Sequence, residues 1–173
     1  MADIDLVYKL IVLRILDRVD FAVSNVQITT FFTEYGYTDY FKAQLALNDV
    51  ADSSLANVTK SHGNTSYTLS SEGKKTLELF IDRITEDIDS DITSYLNDNE
   101  LRMKEEQSVV ADYFPVEPKG YTVNCKIVNN STNRTTYEVN CFVPTKEQAE
   151  AICNNWKAKY EKMYLEFLDE LTS

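Results

Sequence analysis

The feature that most constrains the fold is a change of hydrophobic period near residue 70. Residues 56–61 and 65–69 have the character of short strands and flank the turn His62-Gly63-Asn64, which predicts a β-hairpin. The residues that follow, SSEGKKTLELF (70–80), predict a helix from about Ser71 to Phe80. A chain with this segment must bury a small hairpin against helices.

Two helices are predicted near the start of the chain. The first covers residues 4–19, and the second, Val26–Glu34, begins after a capping box formed by Ser24 and Gln27 and ends at Gly36. Three leucines of the first helix lie outside its main apolar face, so this helix is expected to pack on two sides. They are Leu6, Leu13 and Leu16.

A third helix is predicted from the cap Thr38 or Asp39 to about Asp52. Its core-facing side is predicted to hold Tyr40, Ala43, Leu47 and Val50. Three helices, a hairpin and a further helix within residues 1–80 form the winged helix-turn-helix arrangement, in which the hairpin is called the wing.

Residues 81–108 are predicted to form a connector helix, because apolar residues recur every four positions and no proline interrupts the segment. Part of this segment, Asp87 to Asp91, begins like an EF-hand calcium loop. The sixth position is Ile92, where that loop needs glycine, so a solvated helix face is the better interpretation.

Strands are predicted at residues 109–114, 121–128 and 135–143, followed by a long C-terminal helix with a capping box from Thr145 to Gln148. At about 1.5 Å per residue the helix is longer than a three-stranded sheet covers. Part of its apolar stripe is therefore expected to meet another chain or the N-terminal domain. The stripe consists of Ala149, Ile152, Trp156, Tyr160, Met163, Phe167 and Leu171.

The predicted fold class is α+β, with three parts. Residues 1–80 form a winged-helix domain, residues 81–108 a connector helix, and residues 109–173 a small antiparallel sheet with the long C-terminal helix. The last part is expected to dimerise or to sense a ligand. The residues assigned to a dimer interface or a core are Leu6, Leu13, Trp156, Tyr160 and Phe167.

The chain is acidic, with a formal net charge of −11. Residues 1–80 hold 7 Lys/Arg and 10 Asp/Glu, whereas residues 81–173 hold 10 and 18. The second half therefore repels nucleic acid, and any DNA contact has to come from the first half.

Catalytic and cofactor motifs are not found in the sequence. The three cysteines, Cys125, Cys141 and Cys153, have no C-x-x-C spacing and are expected to be reduced, buried thiols. The sequence has a single histidine, His62, and no second histidine with which it could form a metal site or support triad chemistry. We therefore expect that the chain is not an enzyme and does not bind a cofactor.

The apolar run LVYKLIVLRIL (6–16) is interrupted by Lys9 and Arg14. It therefore lacks the pattern of a signal peptide or a membrane span. A cytoplasmic location and no membrane partner are expected.

Several segments spread over the chain carry a family resemblance. They are LVYKLIVLRIL, YGYTDYF (35–41), the wing exit YTLSSEGKKTLELF, ADYF (111–114) and KEQAEAICNNWKAKYEKMY (146–164). Together they resemble a bacterial family of unknown function whose N-terminal half is a winged helix related to PadR-like and MarR-like transcriptional regulators. The resemblance implies a DNA-binding regulator and assigns no reaction or ligand.

The third helix is the candidate recognition helix. On its exposed side, Lys42 has the charge to neutralise a phosphate, and Gln44 and Asn48 have the groups that pair with adenine edges. Phe41 and Leu45 fit a thymine methyl group or, alternatively, a protein partner.

Further candidate DNA contacts come from the hairpin and the helix after it. The hairpin supplies Lys60, His62 and Asn64, and the helix begins with Lys74 and Lys75. The alternative for these side chains is simple exposure to solvent.

Two functions are consistent with the sequence. The first is a homodimeric transcriptional regulator that binds double-stranded DNA and responds to an unidentified small-molecule effector. The alternative is a winged-helix interaction module that binds protein through Phe41 and Leu45 and does not bind DNA.

Overall fold

The protein is built from helices and two small antiparallel sheets, which confirms the predicted α+β class. The computed structural model describes residues 2–61, 63–129, 132 and 134–173. The described residues divide into two compact units, the first with residues 2–60 and 64–104 and the second with residues 61, 63 and 105–173.

The first unit is built from short helices and one sheet of order β1-β3-β2. The two-residue strand β1 is antiparallel to β3, with Val23 opposite Tyr67, and it was not predicted from the sequence. The elements are α1 (Ala2–Asp17), β1 (Val23–Ser24), α2 (Asn25–Glu34), α3 (Tyr40–Asp52), β2 (Ala56–Ser61), β3 (Asn64–Leu69), α4 (Ser71–Leu79) and α5 (Glu86–Ser108).

The helix ends follow the predicted capping residues. In the capping box of α2, Ser24 Oγ accepts from the Gln27 N–H at 3.1 Å and Gln27 Oε1 accepts from the Ser24 N–H at 2.9 Å. Asp39 caps α3 by accepting from the Lys42 N–H at 3.0 Å. Gly36 follows α2 with a φ of 71°, the left-handed conformation that glycine adopts most easily.

Helix α1 is buried on most of its circumference and packs against α3 and α4, so the predicted two-sided packing is confirmed. Leu13 is fully buried and Leu6 packs against the same core. Most of the apolar surplus of α1 is therefore covered inside the first unit, which leaves little of it for a second chain. The fully buried residues of α1 are Leu10, Ile11, Val12, Leu13 and Ile15.

The predicted core side of α3 is wrong at one position. Tyr40 is 52% exposed, whereas Ala46 is buried beside Leu47. Tyr40 is the first residue of α3 and stays outside the core that Ala43, Leu47 and Val50 enter. The ring makes an edge-to-face contact with Phe41, with centroids 5.9 Å apart.

The predicted connector helix also differs from the structure. Residues 81–83 form a 3₁₀ turn and α5 begins only at Glu86, where Thr85 Oγ1 accepts from the Ile88 N–H at 3.4 Å. Most of α5 then belongs to the first unit, because one of its faces enters that core. The core residues of α5 are Ile92, Tyr95, Leu96 and Met103.

Polar contacts attach α5 to the helices before it. Asp89 Oδ1 accepts from Arg14 Nε at 2.7 Å and Asp89 Oδ2 accepts from Arg18 Nη1 at 3.2 Å. The hydrogen bond from Arg14 holds the pKa of the Asp89 carboxyl below its usual value. The buried Tyr95 hydroxyl donates to the carbonyl oxygen of Gln27 at 2.7 Å.

Gly73 lies where α4 meets the loop before β2. A Cβ atom at this position would overlap the carbonyl oxygen of Leu55. That oxygen also accepts from the Ser70 N–H at 3.2 Å, and the Ser70 hydroxyl donates to the Ser54 carbonyl at 2.7 Å. Movement of this loop away from a new side chain would therefore strain two hydrogen bonds.

We expect Gly73→Ala to lower the free energy of unfolding by about 1–3 kcal/mol, the usual cost of overpacking. Helix propensity alone would raise the free energy of unfolding by about 1 kcal/mol, because alanine favours a helix more than glycine does. Urea denaturation measures the change, with Lys74→Ala on the exposed side of α4 as the control. Equal or greater stability of Gly73→Ala would contradict the close approach of Leu55.

The second unit is a sheet of order β4-β5-β6 covered on one face by a helix. The strands agree with the predicted ones to within one residue at each end. Cys125 lies opposite both Ala111 and Val139 in the sheet. The elements are β4 (Val109–Pro115), β5 (Tyr121–Asn129), β6 (Arg134–Val143) and α6 (Lys146–Thr172).

Burial along α6 decreases toward its C-terminus. Ala149 and Trp156 are buried and Tyr160 is half-buried, but Phe167 and Leu171 are exposed. The expectation that this helix is longer than the sheet can cover is confirmed. The Phe167 ring still lies 5.3 Å from that of Tyr137 on β6. Within the described ranges, no helix has both the length and the apolar composition needed to cross a membrane.

Candidate nucleic-acid interface

The exposed side of α3 carries a pair of amide side chains. Gln44 Nε2 donates to Asn48 Oδ1 at 3.2 Å, one helical turn away. This bond leaves Gln44 Oε1, an acceptor, and Asn48 Nδ2, a donor, outside the pair. Adenine presents an N6 donor and an N7 acceptor in the major groove, so each of these two groups has a suitable type of partner there.

Two acidic residues on or next to α3 have protein partners. Asp49 Oδ2 lies 3.0 Å from Lys9 Nζ of α1, and the Asp39 carboxylate is used as the helix cap. Both contacts reduce the repulsion that these carboxylates exert on a phosphate. Lys9 was not identified from the sequence, because it is 40 residues from Asp49 and only the packing of α1 on α3 brings the two together.

Lys42 and Leu45 border a small groove between α1 and α3, together with Tyr8, Lys9 and Asp49. The groove has a volume of about 170 Å³. It places the two lysine side chains at one site on the first unit.

The candidate residues of the hairpin and α4 are exposed to different degrees. Lys60 and Lys74 are exposed, while Asn64 is half-buried and donates to Ser66 Oγ at 3.4 Å. His62 lies outside the described residues. Lys75 Nζ lies 3.0 Å from Glu72 Oε1, so its charge is already paired.

The structure therefore brings only some of the candidate residues together. Lys42 and Leu45 share one groove, and Gln44 contacts Asn48. In the part of the chain that the structure describes, no hydrogen bond or ion pair joins these α3 side chains to the candidate residues of the hairpin or of α4, which are Lys60, Asn64, Lys74 and Lys75.

Three apolar side chains are also exposed on α3. Tyr40, Phe41 and Leu45 are 52%, 78% and 63% exposed. Isolated exposed apolar residues are ordinary, but three within six positions of one helix form a patch that favours a dry partner.

Two of the three thiols of the second unit, those of the buried Cys125 and Cys153, are poorly suited to nucleophilic chemistry. Burial raises the pKa of Cys125 to about 12 and that of Cys153 to about 11. The thiolate form, which is the reactive one, is therefore scarce near neutral pH. Among the described residues, no cluster of three or more His, Cys, Asp or Glu side chains is arranged to hold a metal ion.

Comparison with known proteins gives a family and no function. No curated protein and no solved structure shows significant similarity to the chain. The family described as a domain of unknown function, DUF4364, matches residues 8–171. Because this match covers nearly the whole chain, the protein belongs to the DUF4364 family.

Proposed function

We propose that this protein is a cytoplasmic, homodimeric transcriptional regulator that binds double-stranded DNA with a winged helix. The observation that carries the proposal is the arrangement of the first unit: α1, β1, α2, α3, the β2-β3 hairpin and α4, with the sheet order β1-β3-β2. In a winged helix the helix in the place of α3 enters the major groove and the hairpin lies beside it. The relation to PadR-like and MarR-like regulators is part of this proposal.

The side chains of the first unit support DNA contact despite the acidic chain. Lys42, Lys60 and Lys74 are exposed and suited to phosphates. Gln44 and Asn48 offer an acceptor and a donor to base edges. The ion pair of Asp49 with Lys9 lowers the negative potential on α3.

We expect the protein to retain fragments of genomic DNA at about 50 mM salt and to lose them as salt rises. Each subunit offers four candidate lysines, which are Lys42, Lys60, Lys74 and Lys75. A dimer therefore reaches at most about eight phosphates, and the slope of log affinity against log salt concentration should be no steeper than about −7. If Lys75 stays paired with Glu72, the limit becomes about −5. Filter binding across a salt series measures the slope, and a protein that retains no fragment at the lowest salt would refute the proposal.

Dimerisation is supported by the exposed apolar residues in the last turns of α6. We expect a stable homodimer in sedimentation experiments at micromolar concentration, because these side chains remain uncovered within one chain. Leu168→Glu with Leu171→Glu should give a monomer, and Lys157→Glu should not. A monomeric wild-type protein would contradict the dimer. The exposed residues are Met163, Leu165, Phe167, Leu168 and Leu171.

The alternative function, a protein-interaction module, is favoured by the apolar patch of Tyr40, Phe41 and Leu45. If this function holds, Phe41→Ala abolishes capture of a protein partner. Val58→Ala, an exposed apolar residue on β2, serves as the control. If Phe41→Ala loses capture of the partner and the wild type retains no DNA, the interaction module is the correct function and the regulator is not.

A further inference from the structure

The second unit contains a cavity between its sheet and α6. The volume is about 320 Å³, which is at the lower end of the range for small-molecule sites. Its lining is mostly apolar and rich in polarisable sulfur. The lining residues that matter for binding are Cys125, Cys141, Ile152, Trp156, Lys159 and Met163.

Trp156 contributes to the wall of this cavity, and its indole nitrogen is a donor buried just behind the cavity surface. Trp156 is only 3% exposed, and within the described part of the chain its Nε1 atom has no hydrogen-bond partner. The indole N–H can only donate, and buried donors in proteins nearly always have an acceptor. An occupant of the cavity that carries an acceptor would satisfy this group after a small turn of the indole brings the N–H to the cavity surface.

A positive charge borders the same cavity. Lys159 follows Trp156 by three positions on α6, so the two side chains lie on the same side of the helix. Lys157, by contrast, does not line the cavity. An acceptor that reaches Trp156 is therefore most favourable when it is anionic.

We propose that this cavity binds an organic acid about the size of two fused rings. Its apolar part packs against the sulfur atoms of Cys125, Cys141 and Met163. Its carboxylate faces Lys159 Nζ and accepts from Trp156 Nε1, which a small turn of the indole brings to the cavity surface. The size follows from volume, since an apolar cavity of about 150 Å³ accommodates benzene and this one is about twice as large. The inference does not depend on DNA binding, although such a ligand is a suitable effector for a regulator.

The test uses 2-naphthoate as the probe and the intact chain labelled with ¹⁵N. Trp156 is the sole tryptophan, so a ¹H–¹⁵N spectrum has one indole N–H resonance, which reports directly on this donor. We expect 2-naphthoate to move it downfield in a saturable manner. Naphthalene lacks an acceptor and should not move it downfield, and the cation 2-naphthylmethylammonium should bind at least about tenfold more weakly, a loss of one charge-assisted contact.

Matched charge reversals on α6 separate site binding from general electrostatics. Lys159→Glu should weaken 2-naphthoate binding about tenfold or more, whereas Lys157→Glu, with the same change in net charge, should leave it within about twofold. Equal weakening by both variants, no saturable shift with 2-naphthoate, or equal affinity for the cationic analogue would overturn the proposal. So would an indole resonance that moves on dilution without any probe, because a second copy of the chain would then occupy the cavity.

Discussion

Replacement of Trp156 by alanine is expected to lower the free energy of unfolding by about 3–5 kcal/mol, the usual cost of truncating a large core aromatic residue. The indole is 3% exposed and stacks on Tyr137, with centroids 6.0 Å apart and planes at 25°. It also contacts the Tyr160 ring at 6.3 Å. Truncation would remove both contacts and leave a void between the sheet and α6.

Urea denaturation followed by circular dichroism measures this effect, since the variant has no tryptophan fluorescence. Lys157→Ala is the control, because it changes an exposed residue next to Trp156 and should alter stability by less than about 0.5 kcal/mol. If the melting temperature of Trp156→Ala equals that of the wild type, the indole is not the centre of the second core.

Reversal of two charges, Lys42→Glu with Lys60→Glu, is expected to abolish DNA binding at every sequence. Both lysines are exposed, one on α3 and one on the hairpin, and phosphate contacts supply most of the non-specific affinity. Asn48→Ala should instead cost about 1–3 kcal/mol of binding free energy, and only at the preferred site, because it would remove the base contact proposed for this side chain.

The matched control for this pair is Lys119→Glu with Lys157→Glu in the second unit. It changes the net charge by the same amount at exposed positions outside α3 and the hairpin. Fluorescence anisotropy with a random and a selected duplex measures all variants. An equal loss in both double variants would show that the net charge, and not the lysines of α3 and the hairpin, controls retention.

Short-range features of the fold could be predicted from the sequence. The caps Ser24, Asp39 and Thr145 mark helix starts, and the alternating residues of β5 and β6 lie against α6 as expected. These features can be recognised in the sequence because they depend on neighbouring residues. A cap bonds to an N–H only three residues away, and a strand places alternate side chains on one face. The resemblance to a family of unknown function is confirmed at that level by the DUF4364 match over residues 8–171.

Contacts between distant residues could not be predicted in this way. The burial of α5 in the first core, the exposure of Tyr40 and the Lys9–Asp49 ion pair all depend on how one helix docks on another. The same holds for the cavity beside Trp156.

The sequence by itself determined the α+β class, the order of the helices and strands other than β1, and the apolar faces of β5 and β6. Only the tertiary structure decided which side chains of α3 stay exposed and which donor is buried without an acceptor. The reason is physical: hydrophobic period and capping act within about one or two helical turns. Burial and ion pairing instead depend on the surface that another element presents, and local pattern does not specify that surface.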